Sequence, residues 1–238
     1  HTTMTEQTFA LEREFIDAVG PAYLRAARQP KPERVASWRY RSLLPLLNRL
    51  HSTVTGLARR HAQVDGHQLV WLEGGKLSGE CVVLLHGFGA SKENWLPLLP
   101  FLARRYRVML PDLPGWGESQ FHPDATYGMD AQVARIADWL GRQEGGQPVH
   151  LVGSSMGGGI AGLVAARHPQ LIRTVTLMNA AGVSGQAHTA FEAGLMRGRN
   201  GLIAHNAAGV FDLLSTVMSS KALALLMAPG MYWDLASR

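Results

Sequence analysis

Val149-His150-Leu151-Val152-Gly153-Ser154-Ser155-Met156-Gly157-Gly158-Gly159-Ile160-Ala161-Gly162-Leu163-Val164-Ala165-Ala166 is the stretch on which the reading of this chain turns. A short apolar run leads into Gly-x-Ser-x-Gly, and small and apolar residues follow. A buried strand, a tight turn and a small-residue helix together make a nucleophile elbow. Gly153 and Gly157 let the turn close without a Cβ clash. The Ser155 hydroxyl is then expected at the carboxyl end of the strand and the positive end of the helix. The plain alternative is a glycine-rich turn that happens to hold a serine, and the motifs upstream weigh against it.

The first of these is His86-Gly87-Phe88-Gly89, directly after the apolar run Cys81-Val82-Val83-Leu84-Leu85. Acyl transfer passes through a tetrahedral oxyanion that needs pre-aimed donors, usually backbone N–H groups. The Phe88 N–H is one candidate. The N–H of Met156, the residue after the serine, is the other, and both residues would then also face substrate. The second motif is Asp112-Leu113-Pro114-Gly115-Trp116-Gly117-Glu118-Ser119, expected to be a rigid loop with a structural role.

The rest of the pattern supports an α/β chain. His61–Val64 and His67–Leu72 around Asp65-Gly66 read as a hairpin. Cys81–Leu85 reads as a strand buried on both faces. Trp95, Leu98, Leu99 and Leu102 mark an amphipathic helix, Arg107–Leu110 a strand, and Met129, Val133, Ile136, Ala137 and Leu140 a helix ended by Gly141. A strand at Thr174–Met178 follows the Ser155 helix. Strand and helix alternate from residue 81, which predicts a doubly wound, mostly parallel sheet. Three segments result: a helical, basic extension over 1–60, an α/β core over 61–183, and a helical cap over 184–238. The extension reads as helical from the spacing of Leu11, Phe15, Ile16 and Val19, with a break at Pro30-Lys31-Pro32.

With these motifs quoted, the chain resembles the α/β-hydrolase superfamily over residues 80–183. His86-Gly87-Phe88-Gly89-Ala90-Ser91-Lys92-Glu93-Asn94-Trp95, the Asp112–Ser119 loop and Gly153-Ser154-Ser155-Met156-Gly157-Gly158 look most like its bacterial monoacylglycerol-lipase and esterase branch. The carbon–carbon-bond hydrolases of aromatic degradation carry a similar elbow. Haloalkane dehalogenases and epoxide hydrolases of this fold use an aspartate nucleophile, and Ser155 argues against both. The resemblance implies a serine carboxylic-ester hydrolase acting on acylglycerol-type apolar esters through an acyl-enzyme. A carbon–carbon-bond hydrolase and a non-catalytic chain that binds a partner are the alternatives.

The family order is serine, then acid, then histidine, each after a later core strand. Glu192 and His205 meet that order formally, but neither follows a predicted strand. Asp212 and Asp234 have no histidine after them, His168 in Arg167-His168-Pro169 reads as a surface residue ending a helix, and His122, His150 and His188 have no evident partner. The acid and histidine are therefore expected beyond residue 238. The chain reads as a hydrolase incomplete at its C-terminus and inactive alone, its open sheet edge covered by a second copy or a companion chain.

Composition sets the remaining bounds. At 238 residues, 46% apolar and 17% charged, the chain fits one large globular domain. Its single cysteine, Cys81, excludes an internal disulfide. With no His-Glu-x-x-His, cysteine cluster or Walker-type loop, neither a metal nor a cofactor is expected. The net charge of +5 arises in the amino-terminal segment, where Arg25–Arg60 holds nine basic residues and one acid, Glu33. That run reads as a solvated helical face or as a contact for an anionic membrane surface. No nucleic-acid motif accompanies it, so no nucleic-acid partner is expected. No apolar run reaches membrane-spanning length and no signal-peptide pattern is visible. His1-Thr2-Thr3 before Met4 leaves the native start open, and the expected location is cytoplasmic or peripheral to a membrane. Four of the nine methionines (Met196, Met218, Met227 and Met231) fall in the cap, as ordinary core filling or as the lining of an acyl pocket.

Overall fold

The computed structural model describes residues 56–143 and 146–183, with Ala193, Gly194, Arg197 and Phe211 as isolated positions further on. Residues 44–183 form one compact unit, and nearly all described residues lie in it. Most of the basic extension, the cap segment, Glu192 and His205 lie outside the described residues.

Six strands form one sheet: β1 (Ala58–Val64), β2 (His67–Gly75), β3 (Cys81–Leu85), β4 (Arg107–Pro111), β5 (Val149–Ser154) and β6 (Ile172–Met178). Their spatial order is β1-β2-β4-β3-β5-β6. β1 and β2 are antiparallel, and so are β2 and β4, while β4, β3, β5 and β6 run parallel. This is the mostly parallel α/β architecture expected from the alternation.

The alternation of side chains along β3 and β4 builds two cores. Val83, Leu85 and Met109 face one side, where Val133, Ile136, Trp139 and Leu140 of α2 (Met129–Gly141) and Ile160 and Val164 of α3 (Met156–Arg167) close over them. Val82, Leu84, Val108 and Leu110 face the other, against Trp95, Leu96 and Leu99. A strand with both faces covered has to be apolar throughout, as Cys81–Leu85 is. Cys81 opens that strand half-buried, and burial pushes its thiol up to about 11.

Two expectations need correction. β1 starts at Ala58, not His61, because the register set by the Asp65-Gly66 turn carries pairing back to Ala58 opposite Glu73. The helical reading of the 1–60 extension therefore fails at 58–60, and the boundary drawn at 60/61 passes through a strand. The amphipathic helix around Trp95 is a 3₁₀ segment, Lys92–Leu98, that runs into one α-turn, α1 (Leu99–Leu102). Pro97 lies inside it and has no N–H to donate. The change of pitch carries Leu98 off the buried face, and it is exposed.

The sheet has two unlike edges. β1 ends it on one side. On the other, β6 pairs only with β5 among the described residues, and Arg173–Met178 are exposed, Val175, Leu177 and Met178 included.

Candidate active site

Ser155 sits between β5 and α3 with φ 54° and ψ −118°, backbone angles that L-residues rarely adopt. Such strain persists only where the surroundings over-determine it. Here the Ser155 N–H donates to the Met178 carbonyl at 2.9 Å. The Ser155 carbonyl accepts from Gly159 N–H at 3.1 Å and from Ala181 N–H at 2.8 Å. The end of β6 and the residues just after it thus hold the turn at both the N–H and the carbonyl of Ser155.

The glycines are required by close approach. A Cβ on Gly153 would run into the Gly157 carbonyl, and one on Gly157 into the carbonyls of Leu85 and His86. The turn therefore presses on the end of β3. A Cβ on Gly87 would lie 3.1 Å from Ser155 Cβ and 3.7 Å from its Oγ, so the His86–Gly89 turn is packed directly beside the serine. Ser155 is half-buried, and its Oγ makes no side-chain hydrogen bond among the described residues. The N–H groups of Phe88 and Met156 likewise have no intramolecular acceptor among the described residues. The Phe88 ring is exposed and meets Trp116 edge-on, with centroids 4.8 Å apart.

Beneath the turn lies a buried polar clamp whose side-chain roles are not legible in the sequence. His86 is 1% exposed. Its Nδ1 donates to the Gly87 carbonyl at 2.9 Å, and its Nε2 accepts from Leu113 N–H at 3.0 Å. An imidazole with one donor and one acceptor nitrogen in use is neutral, and burial lowers its pKa in the same direction. Asp112 is fully buried at the end of β4. Its carboxylate accepts from Lys92 Nζ at 2.6 Å, Lys92 N–H at 2.8 Å and Glu118 N–H at 2.8 Å. Glu93 and Glu118 each stand 2.9 Å from Lys92 Nζ, and Arg59 of β1 reaches Glu118 at 3.2 Å. Burial works against the charge on Lys92. The charge of Asp112, with the hydrogen bonds that Lys92 donates to Asp112 and Glu118, overcomes it and raises the ammonium pKa well above the usual lysine range. Burial also works against the Glu118 carboxylate, and Lys92 with Arg59 nevertheless lowers its pKa. A Cβ on Gly117 would overlap the Asp112 carboxylate, which explains a glycine at φ 54° there.

A lysine ordinarily reads as a surface residue. The available signal was spacing: Lys92 and Trp95 are three residues apart and share a face of a 3₁₀ turn. Two of the histidines singled out in the sequence bond elsewhere, and a third lies at a helix end. His150 pairs with Thr174 Oγ1 at 2.8 Å, His122 with the Gly66 carbonyl at 3.1 Å, and His168 ends α3. No Asp, Glu or His side chain hydrogen-bonds Ser155 among the described residues, and no group of metal-ligating side chains occurs there.

Residues 80–219, more than half of the chain, match the family described as alpha/beta hydrolase fold. The chain belongs to that family. Within the alpha/beta hydrolases it is 35% identical over 118 residues to Lipase 1 of Psychrobacter immobilis, covering 50% of this chain and 37% of the lipase. It is 35% identical over 132 residues to the 2-hydroxy-6-oxo-6-(2'-aminophenyl)hexa-2,4-dienoic acid hydrolase of Metapseudomonas resinovorans, covering 54% of this chain and 44% of that enzyme. The chain thus spans less than half the length of these curated relatives. Among solved structures, a membrane phospholipase A described as a bacterial virulence factor superposes with a TM-score of 0.69 at 29% identity, over 97% of this chain and 73% of that one. The proteins it resembles thus include a lipase, a dienoic acid hydrolase and a phospholipase.

Proposed function

We propose that this protein is a serine carboxylic-ester hydrolase of apolar, acylglycerol-type esters, with Ser155 as nucleophile and the Phe88 and Met156 N–H groups as oxyanion donors. The observation that carries the reading is Ser155 itself. Its strained backbone is held on both sides, its Oγ is free of side-chain partners among the described residues, and a helix begins immediately after it. Ser155 attacks the ester carbonyl, the alcohol leaves, and water cleaves the acyl-enzyme. The two N–H groups take the oxyanion charge as it develops. The general base and its acid come from outside the described residues.

The relative that hydrolyses a dienoic acid favours a second reading, a carbon–carbon-bond hydrolase using the same serine. One comparison separates the two. A chromogenic short-chain ester and a vinylogous diketone are offered to the enzyme, and an alkyl phosphonate is used to trap the nucleophile for mass mapping. The ester is expected to turn over faster and the phosphonate to be found on Ser155. Faster cleavage of the diketone selects the second reading, and a label elsewhere removes both.

The basic run Arg25–Arg60 is assigned to an anionic membrane surface, where an apolar ester would reside. Likeness to a membrane phospholipase supports this. Basic charge near such a surface contributes about 1 kcal/mol per residue. Arg59 and Arg60 face Glu118 and Glu73 in the fold, so the assignment rests on the seven basic residues before them. Among the described residues no helix is long and apolar enough to cross a membrane. Deleting residues 1–55 spares β1. At low salt it is expected to abolish co-sedimentation with anionic vesicles and to leave neutral vesicles unaffected. Equal binding by both forms would sink the assignment.

A further inference from the structure

The buried His86 is too deep to touch a substrate, and the proposed reaction has no use for it as an acid or base. Its two hydrogen bonds nevertheless bear on the site. The carbonyl that accepts from His86 Nδ1 is that of Gly87. That carbonyl and the Phe88 N–H belong to one peptide unit. The described chain has no cis peptide, so the two groups point in opposite directions across a rigid plane. Whatever fixes the carbonyl therefore fixes the N–H.

We propose that His86 is a positioning residue that aims the Phe88 N–H at the developing oxyanion, by holding the opposite side of the same peptide plane. The inference rests on the reading of Phe88 N–H as an oxyanion donor. The geometry around it is redundant in a telling way. Ala90 N–H also donates to the Gly87 carbonyl, at 3.2 Å, and closes the turn. That bond travels with the turn, whereas the His86 bond ties the turn to the rest of the fold. Leu113 N–H holds the far nitrogen of the imidazole at 3.0 Å. Leu113 follows Asp112, whose carboxylate takes Lys92 from the other end of the same turn. The turn over residues 87–91 is thus fastened at both ends to the loop that begins at Asp112. Gly87 is the point at which it lies against Ser155. A neutral imidazole is required, since protonation would remove the acceptor that Leu113 uses.

The test compares three variants of the active enzyme. Replacing the 87–88 amide by an ester removes the Phe88 N–H and weakens the Gly87 carbonyl as an acceptor. His86→Asn keeps an amide N–H where Nδ1 stands and lacks reach to Leu113. His86→Gln keeps reach to Leu113 and misplaces the donor to Gly87. Competent sites are counted by phosphonate titration of Ser155, and kcat and KM are measured on a soluble ester beside the melting temperature. The backbone ester is expected to lower kcat by about 10²–10³-fold. His86→Gln is expected to lower kcat about 10–100-fold at unchanged KM. His86→Asn, which keeps the Gly87 bond but loses the Leu113 anchor, is expected to recover only part of that loss while melting no higher than His86→Gln. Loss in the backbone ester, with Asn and Gln indistinguishable in kcat, overturns the role of His86 and leaves the oxyanion reading standing. Full activity in the backbone ester overturns the oxyanion reading and the role of His86 with it. If neither His86 variant folds, an ester at the 112–113 linkage removes the Leu113 N–H and weakens the Asp112 carbonyl that accepts from Ser119 Oγ. A fall in kcat at constant KM then supports the proposal, and unchanged kcat overturns it.

Discussion

Ser155→Ala is expected to lower ester hydrolysis by about 10⁴–10⁶-fold in the active enzyme, because loss of the nucleophile disables every group that acts with it. KM is expected to change little, since the apolar contacts and the two backbone donors remain. Stability is expected to hold as well. Ser155 Oγ makes no side-chain hydrogen bond among the described residues, and the three bonds that lock the turn come from the backbone. Alanine meets the same penalty as serine at φ 54°. The measurement is kcat and KM beside a thermal melt. A loss below about tenfold with an unchanged melt would remove Ser155 from the mechanism, and a large fall in melting temperature would show that the hydroxyl has a structural role.

The second large effect is expected away from the serine. Lys92→Met keeps the length and apolar bulk of the side chain and deletes its charge. Asp112, fully buried, is then left with backbone donors and no cation. Breaking a buried pair from one side costs about 3–5 kcal/mol, since an uncompensated charge remains. Urea unfolding at neutral pH should show a loss of that size. The double variant Lys92→Met with Asp112→Leu should recover part of it, as replacing both partners is far less costly than replacing one. A single variant within about 1 kcal/mol of the parent would mean that water or a neighbour already screens Asp112.

The clamp also has a pH signature. The pKa of Lys92 is raised, so its contribution is complete below the ordinary lysine range and is lost only as pH climbs through the raised value. The pKa of Glu118 is lowered, so its contribution is present above the ordinary carboxylate range and is lost as pH falls through the lowered value. The clamp therefore holds from neutral into alkaline solution and loosens in acid. The stability gap between the parent and Lys92→Met should narrow in the same direction.

The parts of this fold that were legible in the sequence are those whose cause is local. Cys81–Leu85 is apolar because both faces of β3 are covered, and that pattern needs no partner to be read. Gly153 and Gly157 announce their turn because no Cβ fits there. The clamp was not legible, because its cause is not local. Lys92 and Asp112 are twenty residues apart, and Arg59 meets Glu118 across fifty-nine. Only parallel pairing of β3 with β4 brings their ends together. Leu98 was misplaced for a different reason: the spacing suits an α-helix, and Pro97 imposes another pitch.

The strand order β1-β2-β4-β3-β5-β6 also bears on how the chain is made. β2 precedes β3 in sequence, yet β4 lies between them in the sheet. On a ribosome, β2 and β3 emerge before their common neighbour. The β1–β2 hairpin closes through a two-residue turn and can form at once. It has no place to dock until residues 107–111 have left the exit tunnel. During that interval the apolar sides of β2 and β3 are available to each other, and a direct β2–β3 pairing would occupy the slot that β4 needs. Slow synthesis through residues 86–111 would lengthen that exposure, so yield of folded protein should depend on translation rate over this span more than over the carboxyl-terminal half of the sheet.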